Sequence, residues 1–398
     1  MSLRILQVSN RVPYPLNEGG TIGIYNYTRG FAEAGCTVTL CALAAKKHQI
    51  NEKETREALE PYCTLHLFPI DTDVKPISAF LNLFTKKSYN VQRFYSPAFE
   101  HFLINHLQEH TYDVIQIEGT FPALYTPTIL KHSSAKVVLR QHNVEFQIWD
   151  RLAANTTNPI KAWYLRLLSA RLKRFESKHL NQFAALVPVT PDDAELFKKM
   201  GCIIPIFPSP AGIDINKWKP NYEQEQALTS FHMGSLEWLP NLEAVEWLLS
   251  DIWPKVLEVE PKAKLFIAGK HTPARLQKAH HPGVVMMGEV GNAQTFISDK
   301  SLSLVPLKSG SGIRLKILES MSAGKLVIST SIGAQGIDYT DQLNIVIADT
   351  TENFSNAILG AMRSTKTKKI KQEGRLLIEQ KYANEAVIKR LLYFYKGL

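Results

Sequence analysis

A glycine-rich turn followed by basic residues is the segment of this sequence whose residue types best suit chemistry. Residues 306–325 read PLKSGSGIRLKILESMSAGK, beginning at the end of the apolar run LSLVPL and continuing as a helical pattern. A helix N-terminus exposes N–H groups that bind anions, and glycine lets a phosphate oxygen approach the backbone. Gly310 and Gly312 therefore predict a phosphate-binding turn.

Two cations and one carboxylate near this turn favour the same interpretation. Arg314 and Lys316 fall in the expected first helical turn, where the helix dipole disfavours positive charge, so a bound anion would compensate them. Lys316 and Glu319 are three residues apart and share a helix face. This spacing suits a phosphate with its neighbouring ribose diol. The alternative is a plain turn with solvated cations and a Lys316–Glu319 pair.

The elements that must position these residues are parallel strands alternating with helices. Apolar runs such as LRILQVSN, DVIQIEG and KVVLRQHN recur in the first half, and SFHMGSL, KLFIAGK and LSLVPL recur in the second, with helical patterns between them. Strands that are apolar on both faces need helices on both sides. We therefore predict an α/β fold with two Rossmann-like, doubly wound parallel-sheet domains facing a central cleft, where ligands bind outside the carboxyl ends of the strands.

A Pro-rich and polar segment, PSPAGIDINKWKPNYEQEQ, separates the two series of strands. The length of 398 residues exceeds what one hydrophobic core usually organises. We place an N-terminal domain at residues 1–214 and a C-terminal domain at residues 215–371. The helical pattern of residues 372–398 is expected to pack back onto the N-terminal domain.

The composition, with 45% hydrophobic and 21% charged residues, is that of an ordinary globular protein. No apolar run approaches the roughly 20 residues that cross a bilayer, and the start MSLRILQVSN is unlike a signal peptide, so we expect a cytoplasmic location. The four cysteines show no metal-ligand spacing. A net charge of +9 indicates an anionic partner, which charge alone does not identify as a nucleotide, a nucleic acid or a membrane surface.

The segment GIRLKILESMSAG, residues 312–324, resembles the signature of glycosyltransferase family 4, whose members are retaining enzymes of the GT-B fold. The likeness continues in family order through NEGGTIGIYNYTRGFAEAGCTVTL, RQHNVE, AGID, FHMGSLEWLPNLEAVEWL, LFIAGK and TSIGAQGID. The resemblance implies transfer of a sugar from a nucleotide diphosphate sugar to an acceptor hydroxyl, in glycan, glycolipid or cell-surface polysaccharide synthesis. The C-terminal domain would bind the donor and the N-terminal domain the acceptor.

Carried over from the family, Glu319 matches the glutamate that binds the ribose hydroxyls, and we assign it to the catalytic site. The family's other glutamate, eight positions earlier, falls on Ser311. The usual contact with the donor sugar is therefore assigned to Ser311 itself or to the backbone N–H groups of Gly312 and Ile313.

Positive charge for the diphosphate is expected from an unusual place. Family members commonly carry an Arg and a Lys after the first strand of the second domain, where this sequence reads GSLEWLPN. Arg314 and Lys316 are expected to supply the missing charge. Gly234 and Ser235, at the start of that loop, would lie near the phosphates, and an ordinary turn is the alternative.

Residues at other strand ends complete the predicted nucleotide-sugar site. Gly19 and Gly20 open a helical pattern after the first strand, and we assign them beside the donor phosphates or the acceptor, in preference to a plain turn. Gly288, Glu289 and Val290 end the strand VVMMGEV, where the backbone pairs with the base edge in the resemblance. A turn is again the alternative.

His142 directly follows a strand and is expected to face the cleft. The resemblance implies that it contacts the sugar, where a polar group stabilises the charge of an oxocarbenium-like transition state. Asn143 and Glu145 are weaker candidates beside it. Glu118 also ends a strand, and for this residue we hold an acceptor contact and a purely structural role equally open.

We expect no metal and no cofactor. Asp71 and Asp73 in DTD match the metal motif of a different glycosyltransferase fold but are interpreted as a turn. The basic helix PIKAWYLRLLSARLKRFESKHL carries Arg171, Arg174 and Lys178 on one face. Peripheral contact of this helix with the inner membrane face is an alternative to packing on its own domain with a solvated basic face.

Two other functions fit parts of the sequence. A nucleotide-sugar epimerase on the same double fold would need acid and base residues that the sequence does not display in full. A noncatalytic anion- or membrane-binding protein fits the charge of +9 but not the order of strand-end motifs. We do not expect nucleic acid as a partner, and the donor base, donor sugar, acceptor and oligomeric state have no signature in the sequence.

Overall fold

The computed structural model describes residues 2–16, 19–46, 50–310, 312–364 and 367–398. The chain forms two compact units, one comprising Met1–Gly212 with Val387–Leu398 and the other Ile213–Ala386. The division falls two residues before the expected boundary. Of the C-terminal helical segment, residues 372–386 belong to the second unit and residues 387–398 to the first.

The first unit is built on a six-stranded parallel sheet in the order β3-β2-β1-β4-β5-β6. Its strands are β1 (Arg4–Ser9), β2 (Thr37–Ala45), β3 (Thr64–Ile70), β4 (Val114–Glu118), β5 (Lys136–Gln141) and β6 (Ala185–Pro188). Its helices are α1 (Gly19–Glu33), α2 (Glu52–Leu59), α3 (Pro76–Asn82), α4 (Tyr89–Gln92), α5 (Pro97–Glu109), α6 (Thr126–His132), α7 (Glu145–Ala154), α8 (Pro159–His179) and α9 (Pro191–Lys199).

The second unit repeats this plan with the strand order β12-β11-β10-β7-β8-β9. Its strands are β7 (Thr229–Met233), β8 (Lys264–Ala268), β9 (Val284–Gly288), β10 (Leu302–Val305), β11 (Leu326–Ser329) and β12 (Val346–Ile347). Its helices are α10 (Leu239–Trp247), α11 (Trp253–Val259), α12 (Ala274–Lys278), α13 (Ala293–Ser298), α14 (Leu315–Ser322), α15 (Thr351–Arg363) and α16 (Thr367–Leu377), followed by α17 (Asn384–Lys396), which runs on into the first unit.

The prediction of two doubly wound parallel sheets is confirmed. In β1 every residue after Arg4 is buried, because helices cover both faces of the sheet. Apolar side chains of α17, among them Val387, Leu391 and Tyr395, pack into one of the two cores of the first unit, and the Tyr395 hydroxyl donates to Gln116 Oε1 at 2.6 Å. Within the described residues, no helix combines the length and apolar character needed to cross a membrane.

The parallel arrangement fixes where polar side chains can gather. β1, β4 and β5 are neighbours, and their register pairs Ser9 with Glu118 and Glu118 with Arg140 at the carboxyl ends of the strands. In the second sheet, β7 lies between β10 and β8, so the loops that follow β7 and β10 leave from adjacent strands. These two strand ends position the residues considered next.

Candidate functional site

The carboxylate of Glu118 gathers the polar side chains at one strand edge of the first unit. Its Oε2 accepts hydrogen bonds from Arg140 Nη1 at 3.0 Å and from His142 Nε2 at 2.9 Å. Its Oε1 accepts from Gln7 Nε2 at 3.0 Å and from Gln116 Nε2. Glu118 and Arg140 are fully buried, whereas the His142 side chain keeps 18% of its surface exposed. Glu118 thus holds the histidine rather than facing a substrate directly.

The charges of this cluster fix the protonation of His142. Burial alone would raise the pKa of Glu118, but the Arg140 guanidinium and the His142 hydrogen bond lower it to about 2. Burial and the Arg140 charge lower the pKa of His142, although Glu118 opposes them. A neutral imidazole beside an ionised carboxylate must carry its proton on Nε2. The other ring nitrogen, Nδ1, is therefore a hydrogen-bond acceptor.

The guanidinium of Arg140 is buried against an aromatic ring and a glycine of α1. It stacks on the ring of Tyr27 with 3.7 Å between Cζ and the ring centroid, and the Tyr27 hydroxyl donates to the carbonyl of Ser209 at 3.0 Å. A Cβ at Gly23 would lie 3.4 Å from Arg140 Nη2, so this glycine of α1 leaves room for the guanidinium. The buried Glu118 carboxylate therefore has one fixed counter-charge.

The predicted glycines of the first unit open α1, and Arg11 accompanies them. Gly19 and Gly20 are the first two residues of this helix. A Cβ at Gly20 would lie 3.0 Å from Arg11 Nη1, so the guanidinium rests against the helix start. Burial lowers the pKa of His142 and raises that of Glu145, and the charge of Arg11 adds to the first shift and opposes the second. Arg11 thus adds a cation to the predicted cluster.

The segment that carries His142 is anchored by a carboxylate from another helix. Glu176 of α8 accepts hydrogen bonds from the backbone N–H groups of Glu145 and Phe146, both at 3.1 Å, and from Thr120 Oγ1 at 2.9 Å. A carboxylate is favourable at the positive end of α7. Burial raises the pKa of Glu176 to about 7, against the hydrogen bonds that lower it. Burial also raises the pKa of Glu145, which Asn143 hydrogen-bonds.

In the second unit, Lys316 joins the start of α14 to the loop after β7. Its Nζ donates to Asn241 Oδ1 at 2.6 Å, and Asn241 Nδ2 donates to the carbonyl of Ser235 at 2.8 Å. A Cβ at Gly234 would lie 2.6 Å from Lys316 Nζ, so the ammonium group occupies the space that a side chain at this position would need. Burial and the nearby Arg314 charge lower the pKa of Lys316 to about 7. The structure therefore brings Gly234, Ser235 and Lys316 together.

Glu319 lies one turn further along α14 and is half-buried. Burial raises the pKa of its carboxyl to about 7, while the charges of Lys217 and Lys316 lower it. Lys316 and Glu319 are thus both drawn toward their neutral forms. A ligand that brought a negative charge to Lys316 and hydrogen-bond donors to Glu319 would stabilise the charged forms of both.

The sequence-based prediction that Arg314 lies in the first turn of the helix is wrong. The helix begins at Leu315, and Arg314 precedes it in an extended conformation, not within the first turn. Its guanidinium is buried over the Trp238 ring, 5.3 Å from the centroid, and Nη1 donates to the carbonyl of Gly312 at 2.6 Å. Gly310 has φ +116°, and a Cβ there would lie 2.7 Å from Arg314 Nη2. This glycine is therefore required by the packing of Arg314 against Trp238.

The remaining residues of the turn differ in their surroundings. Gly312 has φ +79° and no atoms near the position of a Cβ, so its left-handed backbone alone accounts for glycine. Ile313 is partly buried and packs against a core of the second unit. Ser311, to which the donor-sugar contact was assigned, lies outside the described residues.

The loop after β9 carries the residues predicted at the base. Gly288 ends the strand with φ +64°, and its carbonyl accepts the N–H of Gly269 at 2.7 Å. Glu289 pairs with Lys270 at 2.8 Å on the surface, whereas Val290 packs partly buried on a core. The base contact at Gly288 and Val290 stays a prediction.

The DTD segment is locally satisfied. The Asp71 carboxylate accepts the backbone N–H of Asp73 at 3.0 Å and pairs with Lys75 at 3.2 Å. In the part of the chain that the structure describes, no group of three or more His, Cys, Asp or Glu side chains is arranged to hold a metal ion.

Sequence reasoning missed four residues of these clusters. Arg140 and Glu176 lie within an apolar strand and a long helix, and no local motif distinguishes them. Arg11 follows β1 at its carboxyl end, the same signal that identified His142, and could have been found. Asn241 stands in the quoted segment WLPN, but its role depends on a lysine 75 residues away.

Comparisons with known proteins cover nearly the whole chain. A family model described as Glycosyltransferase Family 4 matches residues 18–217, just over half of the chain, and one described as Glycosyl transferases group 1 matches residues 228–364. An uncharacterized 44.6 kDa protein in the cps region of Klebsiella pneumoniae is 24% identical over 379 residues, covering 89% of this chain and 90% of that protein.

Solved structures resemble the whole fold. HepE from Anabaena in complex with UDP has a TM-score of 0.68 at 12% identity, with both chains covered completely. Sucrose-phosphate synthase from Thermosynechococcus elongatus has a TM-score of 0.69 at 13% identity, covering 99% of this chain and 98% of that one. HepE is also known in complex with UDP-glucose. At this identity the likeness shows the fold, and the predicted GT-B fold is confirmed.

Removing the charge of Glu118 should destabilise the first unit. Glu118→Gln leaves the Arg140 guanidinium buried without its counter-charge, and breaking such a pair costs about 3–5 kcal/mol. Urea denaturation should show that loss of unfolding free energy. Glu60→Gln, which removes an exposed pair with Arg56, is the matched control and should change stability by less than about 0.5 kcal/mol. Equal stability of the Glu118 variant and the unmodified protein would show that the pair does not hold this site.

Proposed function

The chain belongs to glycosyltransferase family 4 and is a glycosyltransferase, and we propose that it moves a sugar from a nucleotide diphosphate sugar to an acceptor hydroxyl with retention of configuration. The placement of Lys316 Nζ in the loop after β7, where it donates to Asn241 and fills the space beside Gly234, carries this proposal. It supplies an ammonium group to the loop where the family resemblance implies a diphosphate-binding cation. Together with the N–H groups at the start of α14, that ammonium suits a leaving diphosphate.

Glu319 is proposed to bind the ribose of the donor. An ionised carboxylate accepts two hydrogen bonds from neighbouring hydroxyls. Its position one turn beyond Lys316 matches the separation of a ribose diol from its phosphate, and its raised pKa reflects a carboxylate that few protein groups stabilise before the donor arrives. The backbone at Gly288 and Val290 is proposed to receive the base, and Ser311, Gly312 and Ile313 the donor sugar.

In the proposed reaction no side chain acts as a nucleophile. The acceptor hydroxyl attacks the anomeric carbon on the face from which the diphosphate departs, so the bond to the acceptor oxygen forms as the bond to the phosphate oxygen breaks. The hydroxyl proton passes to the departing phosphate. His142, whose Nε2–H is directed at Glu118, offers Nδ1 to a sugar hydroxyl and stabilises the developing charge. Arg11, Gly19 and Gly20 are proposed beside the phosphates or the acceptor.

Proteins similar to this chain indicate which substrates to test. HepE binds UDP and UDP-glucose, which makes UDP-sugars the first donors to test. The relative from the Klebsiella cps region supports a role in polysaccharide synthesis with a glycan or glycolipid acceptor. We propose that the enzyme needs neither a metal ion nor a cofactor. We also propose that it works in the cytoplasm with peripheral contact to the inner membrane face.

A panel of nucleotide sugars tests the function. Incubation with UDP-, GDP- and ADP-sugars and a mixture of sugar acceptors should release a nucleoside diphosphate only when an acceptor is present. NMR of the product should show the anomeric configuration of the donor, and EDTA should leave the rate unchanged. Interconversion of two nucleotide sugars without release would instead indicate an epimerase. Absence of binding to every nucleotide would contradict both enzymes.

Lys316→Ala should weaken binding of the matching nucleoside diphosphate roughly 10- to 100-fold, because a charge-assisted contact contributes about 1.5–3 kcal/mol. Isothermal titration calorimetry measures this change directly. Lys255→Ala removes an exposed lysine paired with Glu352 and should leave the affinity unchanged. If Lys316→Ala bound as tightly as the unmodified protein, Lys316 would not be the diphosphate cation.

The affinity for the diphosphate should fall as the pH rises from 7 to 9. Free Lys316 has a pKa of about 7, and a bound diphosphate raises it, so binding takes up a proton above pH 7 and weakens by up to tenfold per pH unit. Lys316→Arg keeps its charge over this range and should flatten the profile. A profile with the same slope in both proteins would assign the titration to another group.

A further inference from the structure

Helix α3 exposes its apolar side chains and buries a polar one. Ile77 is 77% exposed, and Phe80 and Leu81 are each 60% exposed, whereas Asn82 is the buried residue of this helix. Phe84, just beyond the helix, is 77% exposed, and its ring contacts that of Phe80 with centroids 5.5 Å apart. A helix on the surface of a globular protein normally has the opposite arrangement. An apolar partner would explain this one.

The exposed helix is firmly attached at both ends. At its C-terminal end, Arg171 Nη1 donates to Asn82 Oδ1 at 2.7 Å and to the Asn82 carbonyl at 2.9 Å, and Nη2 donates to the Leu83 carbonyl at 2.9 Å. At its start, the N–H of Lys75 donates to the Tyr89 hydroxyl at 3.0 Å. The aromatic and aliphatic side chains are therefore presented outward by a fixed backbone.

These contacts also correct one expectation from the sequence. Arg171 was expected on a solvated basic face of α8 with Arg174 and Lys178. The structure buries Arg171 because it hydrogen-bonds the backbone and side chain of Asn82, while Arg174 and Lys178 are exposed. The basic face on which the sequence-based membrane alternative rested thus loses one of its three residues.

The start of α8 extends the apolar area. Arg171 of α8 contacts Asn82 at the end of α3. Tyr164 of α8 lies near Tyr89, whose hydroxyl accepts the N–H of Lys75 at the start of α3. Burial raises the pKa of Tyr164, and the nearby Tyr89 raises it further. Both ends of α3 therefore lie near α8. Exposed apolar side chains at the start of α8 continue the face. We call the area formed by Ile77, Phe80, Leu81, Phe84, Ile160 and Trp163 the α3–α8 surface.

The two segments that form the α3–α8 surface carry only positive charge. Residues 74–87 and 158–175 contain eight Lys and Arg residues and no Asp or Glu. Arg171 is buried, and the other seven are exposed; Lys75 alone pairs with an acid, Asp71, outside these segments. A second copy of this chain would bring two positive surfaces together, which is unfavourable. Apolar and aromatic side chains among lysines instead match an anionic lipid surface.

We propose that the α3–α8 surface docks onto a membrane that contains anionic phospholipids. Ile77, Phe80, Phe84 and Trp163 enter the boundary between headgroups and acyl chains, and the lysines contact lipid phosphates. This proposal names the surface and the lipid class for the membrane contact suggested above and rests on that part of the proposed function. It does not depend on which sugar is transferred.

Vesicle sedimentation with the full-length protein tests the lipid requirement. The protein should sediment with phosphatidylcholine vesicles that contain about 30% phosphatidylglycerol, and binding should weaken at about 0.5 M NaCl because salt screens surface charge. Pure phosphatidylcholine vesicles should bind it at least tenfold more weakly. Failure to bind either vesicle, or equal binding to both, would overturn the proposal.

Two combined variants locate the surface. The triple variant Ile77→Ser/Phe80→Ser/Phe84→Ser should reduce partitioning onto anionic vesicles more than tenfold. The matched control is Ile203→Ser/Tyr393→Ser, which changes two residues that are 86% and 84% exposed elsewhere in the first unit. Partitioning of this control should be unchanged. Lys86→Gln/Lys87→Gln/Lys161→Gln should reduce it roughly fivefold per lysine. The charge control is Lys131→Gln/Lys136→Gln/Lys178→Gln. Equal losses in variants and controls would contradict a localised surface.

Two further measurements separate the other occupants and the proposed function. Sedimentation velocity should show that the protein does not dimerise through this surface. A dimer that the serine substitutions abolish would instead assign the surface to a second copy of the chain. Circular dichroism melting should match that of the unmodified protein, and transfer to a water-soluble acceptor should stay unchanged in the serine variant. Loss of transfer to the water-soluble acceptor would assign the surface to substrate binding and overturn the proposal. Vesicle binding by a protein without transferase activity would overturn only the proposed function.

Discussion

The hydrogen-bonded ion pair between Glu118 and Arg140 is the constraint on which the first unit's candidate site depends. Two charges removed from water are stable only when each compensates the other, and here the Arg140 guanidinium donates to Glu118 and stacks on the Tyr27 ring. Donors from β1, β4, β5 and the His142 loop all meet the Glu118 carboxylate, so those strand ends must stay in register. The orientation of His142 follows from this register.

The titratable residues of the second unit's candidate site are not stabilised in their charged forms. Glu118 is held ionised by a fixed partner and has a pKa of about 2, whereas Lys316 and Glu319 both have pKa values of about 7. A buried charge that the protein satisfies itself is structural, and one that it leaves partly uncompensated is available to a ligand. The contrast sets the structural pair of Glu118 and Arg140 apart from Lys316 and Glu319, which are proposed to bind the donor.

Local patterns in the sequence predicted the two sheets and the residues at strand ends, because strand periodicity and turn chemistry are short-range properties. What they could not predict depended on distant partners. Arg314 turns back onto Trp238, and Arg171 is buried by Asn82, 89 positions earlier. The family resemblance located Glu319 and His142 as candidates, but the ion pair that orients His142 has no motif. The apolar residues of α3 were unremarkable in the sequence, since their exposure is a tertiary property.

Helix α8 joins the α3–α8 surface to the segment that carries His142. Trp163 stands near its start on the α3–α8 surface, and Glu176 near its end fixes the loop of His142. Thirteen residues of α-helix separate them, which corresponds to about 20 Å. The length of this helical segment therefore sets a limit. In an enzyme bound to a membrane through its α3–α8 surface, the His142 loop would lie no more than about 20 Å along the helix axis from the lipid headgroups. A saccharide of a few units on a lipid carrier is long enough to cover this span.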